Sequence, residues 1–415
     1  MGGNEEEIIG KLERGEVKLY EIDKEVGDSN RAARIRRAFL EKKMGVELKN
    51  IGSTSIDFND ATNRNIENPI GAVQVPLGYC GDLNMNGEYA KGSYPVLLAT
   101  TEGRLVAGIS RGMSALNKAG GVVSSVIKDG ITRDVLVRVS GIKDASKLMR
   151  WIESKEGIDF FGNEFSKNAS HGRFIEARPF TTGREVHIRI KATSGAAMGM
   201  NMITIASKAS VDAMIKHVEE RLGIKVAIIS ESGNMCTDKK PAFINFIEGR
   251  GTSVVAEAMV PRQIVADVFK AEPEKMAELN LLKNLTGSAL AGSHGFNAHI
   301  ANALAAMYIA HGQDAAQVVE GAQAITQAFA TEEGLYVSVT MPSIEVGTYG
   351  GGSKRETQRE ALSLLGLYGE NDTEGRTRLA FAEIVAGVCL AGELNLLAAE
   401  STKDLSKSHS QIKRG

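Results

Sequence analysis

Residues 135–231 contain an alternation of strand and helix patterns that constrains the fold more than any other part of the chain. Apolar residues alternate or run together in the strand segments, and they recur every three or four positions in the helical ones. In chain order the pattern predicts a strand, a helix, two strands, a helix and a strand, over 135–139, 144–155, 173–178, 185–191, 211–222 and 225–229. This β-α-β-β-α-β order is that of the ferredoxin-like fold. Apolar, glycine-rich sequence resumes on both sides, so we interpret 135–231 as an inserted domain.

The chain as a whole is too long for a single hydrophobic core, because its 415 residues exceed the size at which chains divide into domains. We predict an α+β protein in which a large, mainly helical domain carries the inserted one. A helical segment is expected to precede them, with Ser29 or Asn30 capping a helix over 31–43. The predicted boundaries are 1–45 for the N-terminal helical segment, 46–134 and 232–400 for the two parts of the large domain, 135–231 for the inserted domain and 401–415 for a mobile tail.

The composition excludes several classes of function. Hydrophobic residues make up 43% of the chain and charged residues 24%, and the net charge of -2 leaves no basic surface for nucleic acid. The three cysteines, Cys80, Cys236 and Cys389, form no disulfide framework and no metal site, which is typical of a reducing compartment. The apolar segments 284–313 and 376–400 are interrupted by polar or acidic residues, which favours core elements over membrane spans. The sequence thus predicts a cytoplasmic protein with neither a membrane nor a nucleic acid as partner.

A polar loop follows the last predicted strand of the inserted domain and holds the strongest candidates for chemistry. It runs from Ser230 to Pro241 and places Asp238, Lys239 and Lys240 on consecutive residues between apolar segments. Strand ends in α/β proteins commonly carry functional side chains. A lysine held beside apolar segments can stabilise an oxyanion or donate a proton. The alternative is a solvated basic turn, which Asp-Lys-Lys alone does not exclude.

Two carboxylates stand in weakly polar surroundings. Glu102 is the one acidic residue of the run 95–108, and Asp314 lies among small residues. A buried carboxyl group in such a setting holds its proton near neutral pH and can donate it. For Glu102 the residues equally allow a carboxylate at a helix N-terminus, after the cap of residues 100 and 101. Asp314 needs a cation, and Lys239 is the candidate.

Two glycine-rich connections are candidates for approaching a phosphate group. Thr193–Asn201 lies between a predicted strand and a predicted helix, and Met341–Ser353 contains three consecutive glycines. Neither matches the dinucleotide-binding or P-loop fingerprint, so a tight turn is the alternative for both. The tail carries His409, a titratable group that a mobile segment can bring to a substrate after closure.

Eight motifs resemble those of 3-hydroxy-3-methylglutaryl-CoA reductases and occur in the same order as in that family. The motifs are 67–71, 99–103, 129–133, 194–201, 232–241, 312–317, 340–352 and 407–409. The resemblance extends from about residue 50 to the end of the sequence, and it is to soluble, archaeal-like members of the NADPH-using, mevalonate-forming branch. It implies a large domain that binds CoA and substrate and an inserted domain that binds the dinucleotide.

The resemblance implies that hydroxymethylglutaryl-CoA is reduced to mevaldehyde and then to mevalonate by two successive hydride transfers from NADPH, with free CoA released between them. In these terms Lys239 stabilises the oxyanion, and Glu102 donates a proton to the alkoxide. Asp314 links these two residues and tunes their protonation, and His409 protonates the departing CoA thiolate.

The resemblance also assigns binding residues. The positions that match contacts to the hydroxymethylglutaryl portion are Arg133, Ser232, Asp238, Lys240, Lys283 and Asn302. Those that match contacts to CoA phosphate are Ser110 and Arg111. Those at the nicotinamide dinucleotide are Met198, Gly199, Met200 and Asn201. His171 and Arg173 are the candidates for the 2′-phosphate and favour NADPH over NADH, whereas Ala196 departs from the aspartate that many members of the family have.

Two alternatives from other classes stay open from the sequence. One is an ATP-dependent kinase that uses the loop 347–353. The other is a non-catalytic CoA-binding regulator in which Lys239, Glu102 and Asp314 form structural ion pairs. The resemblance itself implies a homo-oligomer, a dimer or a pair of dimers, with each active site at the subunit interface. We therefore expect Lys239 of one chain to complete a site that holds Glu102 and Asp314 of another.

Overall fold

The computed structural model describes residues 3–62, 64–169 and 171–402. Over these residues the strands are β1 (Leu77–Asn86), β2 (Lys91–Ala99), β3 (Val122–Arg138), β4 (Phe174–Thr182), β5 (Glu185–Ala192), β6 (Ala227–Ser230), β7 (Gly251–Pro261), β8 (Ile325–Ala330) and β9 (Gly334–Ile344). The α-helices are α1 (Gly3–Glu13), α2 (Ile22–Val26), α3 (Ser29–Met44), α4 (Lys49–Gly52), α5 (Phe58–Ala61), α6 (Leu105–Lys118), α7 (Ile142–Glu153), α8 (Lys155–Asn168), α9 (Met200–Leu222), α10 (Ile244–Glu248), α11 (Arg262–Ile264), α12 (Pro273–Leu279), α13 (Ser288–Leu290), α14 (Ile300–Ala310), α15 (Val318–Gly321), α16 (Glu356–Leu364) and α17 (Arg376–Ser401). Tight 3₁₀ turns cover Leu19–Glu21, Ala315–Gln317 and Gly351–Lys354, and π-helical turns cover Val265–Phe269 and Asn280–Gly287.

These strands form one mixed sheet, and β3 joins its two halves. The first half has the order β2-β1-β3-β7-β9-β8, in which β1 and β3 are parallel and the other neighbours antiparallel. The second half places β6, β3, β5 and β4 side by side in that order, all antiparallel. Residues 123–130 of β3 pair with β7, whereas residues 131–138 pair with β5. Gly130 stands at this changeover with a φ of +150°, a backbone angle that favours glycine.

Helices α7, α8 and α9 cover the second half of the sheet and share an apolar core with it. The predicted elements are all present. Two of them, β3 and α9, are longer than predicted, and one further helix, α8, is found between them. β3 begins at Val122 where the sequence predicted 135, and α9 begins at Met200 where it predicted 211. Helix α8 was not predicted, and its buried Phe161 and Phe165 pack into the core between the other helices and the sheet.

Helix α17 lies in the largest hydrophobic core of the described residues. It is the one described helix long and apolar enough to cross a membrane by length and composition, yet 89% of its most apolar stretch is buried inside the protein. Its two acidic interruptions are hydrogen-bonded. Glu383 accepts from the backbone N–H groups of residues 88–90, and Glu393 accepts from those of residues 298 and 299. Because buried carboxylates need such partners, the helix is a core element, as the sequence predicted.

The N-terminal segment forms a small separate core from α1, α2 and α3. Helix α3 ends at Gly45, which has a φ of +66°, but its N-terminal cap differs from the prediction. Asp28 is the cap and accepts a hydrogen bond from the N–H of Arg31 at 2.8 Å. Asn30 instead donates to Asp57, 2.7 Å away, and so ties α3 to the next segment. The error has a simple cause, because aspartate, serine and asparagine are nearly equivalent as caps.

Candidate active site

The loop that follows β6 is held by the long strand β3. Gly233 donates its N–H to the carbonyl of Asp134 at 3.0 Å, and Met235 donates its N–H to the Asp134 carboxylate at 2.9 Å. The same carboxylate lies 2.8 Å from Nδ1 of His187. Thr237 and Lys239 both have left-handed backbone angles, with φ values of 59° and 56°. Such angles are uncommon outside glycine and persist only where surrounding contacts impose them.

Lys239 forms an ion pair with Asp314. Its Nζ lies 2.8 Å from Oδ2 of Asp314, and the two side chains are 44% and 35% exposed. Asp314 is fixed in turn, because its Oδ1 accepts the N–H of Ala316 at 3.0 Å. The hydrogen bond to Asp314 raises the pKa of Lys239 above its usual value, so the ammonium stays charged at neutral pH. The structure thus brings together the lysine and the carboxylate that the sequence paired.

A buried arginine lies beneath this pair. Arg250 is fully buried and contacts the carboxylates of Asp238, Glu320 and Glu345; the distances to Asp238 and Glu345 are 3.0 and 2.9 Å. Glu320 reaches the loop as well, since it accepts the backbone N–H of Lys239 at 2.9 Å. We call these four residues the Arg250 cluster. Of the four, only Asp238 was a candidate from the sequence. The signal available for Glu320 and Glu345 was a single acidic residue beside apolar ones.

Burial shifts the protonation of the Arg250 cluster. Removal from water raises the pKa of Glu320 to about 7, although Arg250 opposes the shift. Burial likewise raises the pKa of Glu345 well above its usual range. One oxygen of each glutamate, Oε2, has no hydrogen-bond partner among the described residues. Burial therefore favours the protonated form of these glutamates, and the single positive charge of Arg250 offsets this only in part.

Glu102 lies apart from Lys239 and Asp314 within one chain. It is exposed and precedes helix α6, and its N–H donates to Oγ1 of Thr100 at 2.9 Å. Its Oε1 accepts a hydrogen bond from the amide of Asn302 at 3.2 Å. No hydrogen bond or ion pair among the described ranges joins Glu102 to Lys239 or Asp314. Glu102 is therefore not a buried acid within one chain. It does not stand in the first turn of α6 either, because that helix begins at Leu105 and has Arg104 and not residue 100 or 101 as its N-cap.

The other substrate candidates fall into two groups. Arg133 donates to Oγ of Ser232 at 2.9 Å, and Lys240 donates to the carbonyl of Asp238 at 3.1 Å, so all four lie on or beside the loop that follows β6. Lys283 lies elsewhere, in the π-helical turn Asn280–Gly287.

The CoA candidates lie on helix α6. Ser110 and Arg111 are neighbours near the middle of this helix. Arg111 donates to the side chain of Asn395 at 2.7 Å, and its guanidinium lies 5.3 Å from the ring centre of Phe269. The guanidinium is therefore held in place by neighbouring elements and remains at the protein surface.

A cavity of about 820 Å³ opens beside Asp314. The loop of residues 195–199 and the first residues of α9 form one wall, and residues 347 and 350–352 form another. The walls touch closely: a Cβ added to Gly347 would lie 2.7 Å from the backbone nitrogen of Met198. Gln313 ties the parts together, since it donates to the carbonyl of Gly347 at 2.9 Å and accepts its N–H at 2.7 Å. Ala196 and the four predicted nicotinamide positions, 198–201, lie on the wall formed by residues 195–199 and the start of α9.

A second cavity of about 830 Å³ continues from the first, because His171, Ser194 and residue 373 line both. Arg173 and Arg376 line only the second cavity. Of the two predicted 2′-phosphate residues, Arg173 therefore lies in the second part of the cavity and His171 lies where the two parts meet, whereas Asp314 lines the first part. Arg376 was not singled out from the sequence, because it reads as the first polar residue of a long helix.

Comparisons with known proteins agree over nearly the whole chain. The family model described as "Hydroxymethylglutaryl-coenzyme A reductase" matches residues 32–414. The 3-hydroxy-3-methylglutaryl-coenzyme A reductase of Pyrococcus horikoshii is 49% identical over 420 residues, covering 100% of both chains. That of Methanocaldococcus jannaschii is 44% identical and covers 99% of this chain and 100% of its own. A solved class II enzyme of the same name from Streptococcus pneumoniae, bound to NADPH, is 18% identical with a TM-score of 0.64, covering 88% of this chain and 96% of its own.

These matches define an enzyme of the oxidoreductase class. The chain belongs to the hydroxymethylglutaryl-coenzyme A reductase family, as its motifs predict. Its reaction is the reduction of 3-hydroxy-3-methylglutaryl-CoA to mevalonate. The kinase and the non-catalytic regulator are therefore wrong as alternatives, and the mixed α+β fold is the one found in solved reductases.

Proposed function

We propose that Lys239 is the positive group at the reacting carbonyl and that Asp314 holds it there. The observation that carries this proposal is the 2.8 Å contact between Nζ of Lys239 and Oδ2 of Asp314, which lines the first of the two cavities. NADPH, when bound, supplies the hydride for both reductions. Each reduction leaves negative charge on the substrate oxygen. An ammonium group beside that oxygen stabilises the transition state more than the ground state.

The residues of the two-part cavity fit a phosphorylated dinucleotide. Gly199 is the N-cap of α9 and has no side chain to bond the first turn, so the backbone N–H groups of that turn are open to a ligand. We assign Met198, Gly199, Met200 and Asn201 to the nicotinamide end. His171 and Arg173 bind the 2′-phosphate in this proposal, and their position on the second cavity supports it. A 2′-phosphate needs such cationic donors, which NADH would leave unused.

The polar residues around the catalytic loop hold the hydroxymethylglutaryl portion in this proposal. Ser232 and Arg133 already share a hydrogen bond, and Lys240 and Asp238 lie on the same loop. Lys283 binds the free carboxylate of the substrate, and Asn302 lies beside the proton donor Glu102. Ser110 and Arg111 bind CoA phosphate on α6. His409, which lies outside the described residues, protonates the departing CoA thiolate, as the resemblance implies.

The part of the chain from residue 131 to 230 is proposed as an inserted, ferredoxin-like, dinucleotide-binding domain. Its support is the strand order β6-β3-β5-β4, all antiparallel, with α7 to α9 packed against it. That order places the fourth strand beside the first, as a β-α-β-β-α-β unit requires. The large domain then consists of the remaining strands, β1, β2 and β7 to β9, and the helices packed on them.

The active site is proposed to form between two copies of the chain. Lys239 and Asp314 pair within one chain, while the proposed proton donor Glu102 forms hydrogen bonds, among the residues described, with Asn302 and Thr100. Exposed apolar side chains near the loop support an interface: Phe243 is 60% exposed and Ile247 is 74% exposed. Two-fold association is self-complementary, so each pair of chains would complete two sites. The proposed division of residues differs from the one expected from sequence, because Asp314 belongs with Lys239.

The proposal for Lys239 is tested with the variant Lys239→Gln. Oxidation of NADPH is followed at the nicotinamide absorbance band with hydroxymethylglutaryl-CoA as substrate. We expect kcat to fall by about a hundredfold or more, the usual loss when an oxyanion donor is removed. The melting curve should stay close to that of the unchanged protein, because the side chain lies at the surface. Lys225→Gln, at an exposed position before β6, is the matched control. Retention of most activity by a folded Lys239→Gln protein would contradict the assignment.

A further inference from the structure

One ion pair that the proposed function does not explain joins Lys283 to Glu400, away from the loop that follows β6. The Nζ atom of Lys283 lies 2.5 Å from Oε1 and 2.6 Å from Oε2 of Glu400, so the ammonium group faces both oxygens of the carboxylate. Glu400 stands in the last turn of α17, and its side chain is 20% exposed. A carboxylate at the C-terminal end of a helix faces the negative end of the helix dipole. Its ion pair with Lys283 offsets that unfavourable position.

Among the residues that the structure describes, Lys283 alone donates a hydrogen bond to the carboxylate of Glu400. The catalytic pair provides the contrast: Asp314 uses one oxygen for Lys239 and anchors the other on the N–H of Ala316. A carboxylate with a backbone anchor stays in place when its cation binds something else. Glu400 has no such anchor within the ranges 3–62, 64–169 and 171–402, and rotation of its side chain frees Lys283.

We propose that Glu400 occupies Lys283 in place of the substrate carboxylate and that substrate must displace it. The inference rests on the proposed role of Lys283 as the group that binds this carboxylate. Two carboxylates on one ammonium group repel each other at a separation of a few ångströms. Glu400 therefore weakens the binding of any ligand that places a carboxylate on Lys283. The consequence extends to the product, because mevalonate keeps the same carboxylate.

The test uses Glu400→Gln, which keeps the shape of the side chain and removes its charge. We expect the KM for hydroxymethylglutaryl-CoA to fall roughly twofold to fivefold, the size of an exposed charge interaction. The inhibition constant for added mevalonate should fall by a similar factor. The KM for NADPH should stay unchanged. The decrease in the KM for hydroxymethylglutaryl-CoA should be smaller at high salt, because salt screens exposed charges. Glu164→Gln is the matched control, since Glu164 forms a comparable pair with Lys167 at 2.6 Å on α8.

Lys283→Gln separates this inference from the proposed function. If Lys283 binds the carboxylate, this variant raises the KM for hydroxymethylglutaryl-CoA, and adding Glu400→Gln to it no longer lowers that KM. If Lys283→Gln leaves the KM unchanged, the proposed role of Lys283 is wrong. If Lys283→Gln raises the KM but Glu400→Gln leaves it equal or higher, Lys283 keeps its role and Glu400 merely orients it. If either variant melts at a clearly lower temperature, Glu400→Asp replaces it, because aspartate withdraws the carboxylate by one methylene group. This variant must also have a lower KM for hydroxymethylglutaryl-CoA than the unchanged protein.

Discussion

The Arg250 cluster shows how strongly single residues are affected by burial. Arg250 has one positive charge, and Asp238, Glu320 and Glu345 together bring three carboxyl groups to it. Burial raises the pKa of both glutamates, and Glu320 reaches about 7. Glu320 also accepts the backbone N–H of Lys239, which holds a left-handed conformation. The cluster therefore fixes the backbone of Lys239, and burial favours the protonated form of Glu320 beside it.

The proton on Glu320 makes stability depend on pH. The pKa of Glu320 is raised from 4.5 to about 7, so the folded protein binds this proton more tightly than the unfolded chain. The resulting stabilisation is complete below pH 4.5 and is lost as pH rises through 7. We expect the free energy of unfolding of the unchanged protein, relative to Glu320→Gln, to fall by up to about 3 kcal/mol over that range. Chemical denaturation at several pH values measures it.

A second titrating group must be kept constant in that experiment. Burial lowers the pKa of His311 to about 4, so its contribution to stability is present above pH 6.5 and declines as pH falls. His311 is the same in both proteins, and its effect cancels in their difference. A difference between the two proteins that does not change with pH would show that Glu320 is ionised throughout.

The sequence predicted the exposed part of the site better than the buried part. Lys239 could be identified because it stands in a polar loop between apolar runs, and Asp314 because it is a carboxylate among small residues. Arg250 could not be matched with its partners, since Glu320 and Glu345 lie 70 and 95 residues further along the chain. No local pattern records such a contact. The role of Lys283 could be predicted from the resemblance, but its pairing with Glu400 across 117 residues could not.

At the scale of elements, periodicity located the strands and helices whose two faces differ clearly. It missed α8, although Phe161 and Phe165 lie at helical spacing there. It also began α9 too late, because the first turns of this helix are lined by small polar residues such as Ser207 and Ser210, both buried. Their burial comes from the packing of α9 against α8 and β3. The apolar pattern alone could not show that these turns continue the helix towards the cavity.

The two candidate residues just before β4, His171 and Arg173, give a prediction about cofactor choice. The double variant with His171→Ala and Arg173→Ala removes the two candidate 2′-phosphate ligands from the second cavity. We expect the KM for NADPH to rise about tenfold, because a charge-assisted hydrogen bond at a partly exposed site is lost. The KM for NADH should stay nearly the same, since it lacks the phosphate.

The matched control is Arg184→Ala, an exposed arginine on the turn between β4 and β5. It removes a positive charge from the same unit without touching either cavity. Equal increases in KM for both cofactors in the double variant would place the phosphate-binding residues elsewhere, with Arg376 as the next candidate on the same cavity.

At the scale of the whole molecule, the pairing of Lys239 with Asp314 changes how subunits are expected to complement one another. If one chain provides both residues and another provides Glu102, then Lys239→Gln and Glu102→Gln chains form one intact site in each hybrid dimer. Mixing these two inactive proteins under subunit exchange should restore activity, up to about half per hybrid dimer. The activity of purified hybrids carrying two different tags measures the effect.

A third variant decides between the two divisions of the site. Lys239→Gln mixed with Asp314→Asn should restore nothing, because both changes damage the same half of each site and every hybrid site carries one of them. Restoration in that mixture would instead place Asp314 with Glu102, as the sequence had suggested. Inactive hybrids in both mixtures would mean that all three residues act within one chain.

The shared strand β3 has a mechanical consequence. Residues 123–130 pair with β7 in the first half of the sheet and residues 131–138 pair with β5 in the second half, so one continuous backbone runs through both. A rotation of the second half relative to the first therefore has to bend a strand that is hydrogen-bonded on both sides of the bend. Gly130 stands at the changeover and is closely surrounded, because a Cβ added there would lie 2.7 Å from Cε of Lys191. Arg133 lies three residues further along the same strand and donates to Ser232, so such a rotation is coupled to the loop that carries Lys239.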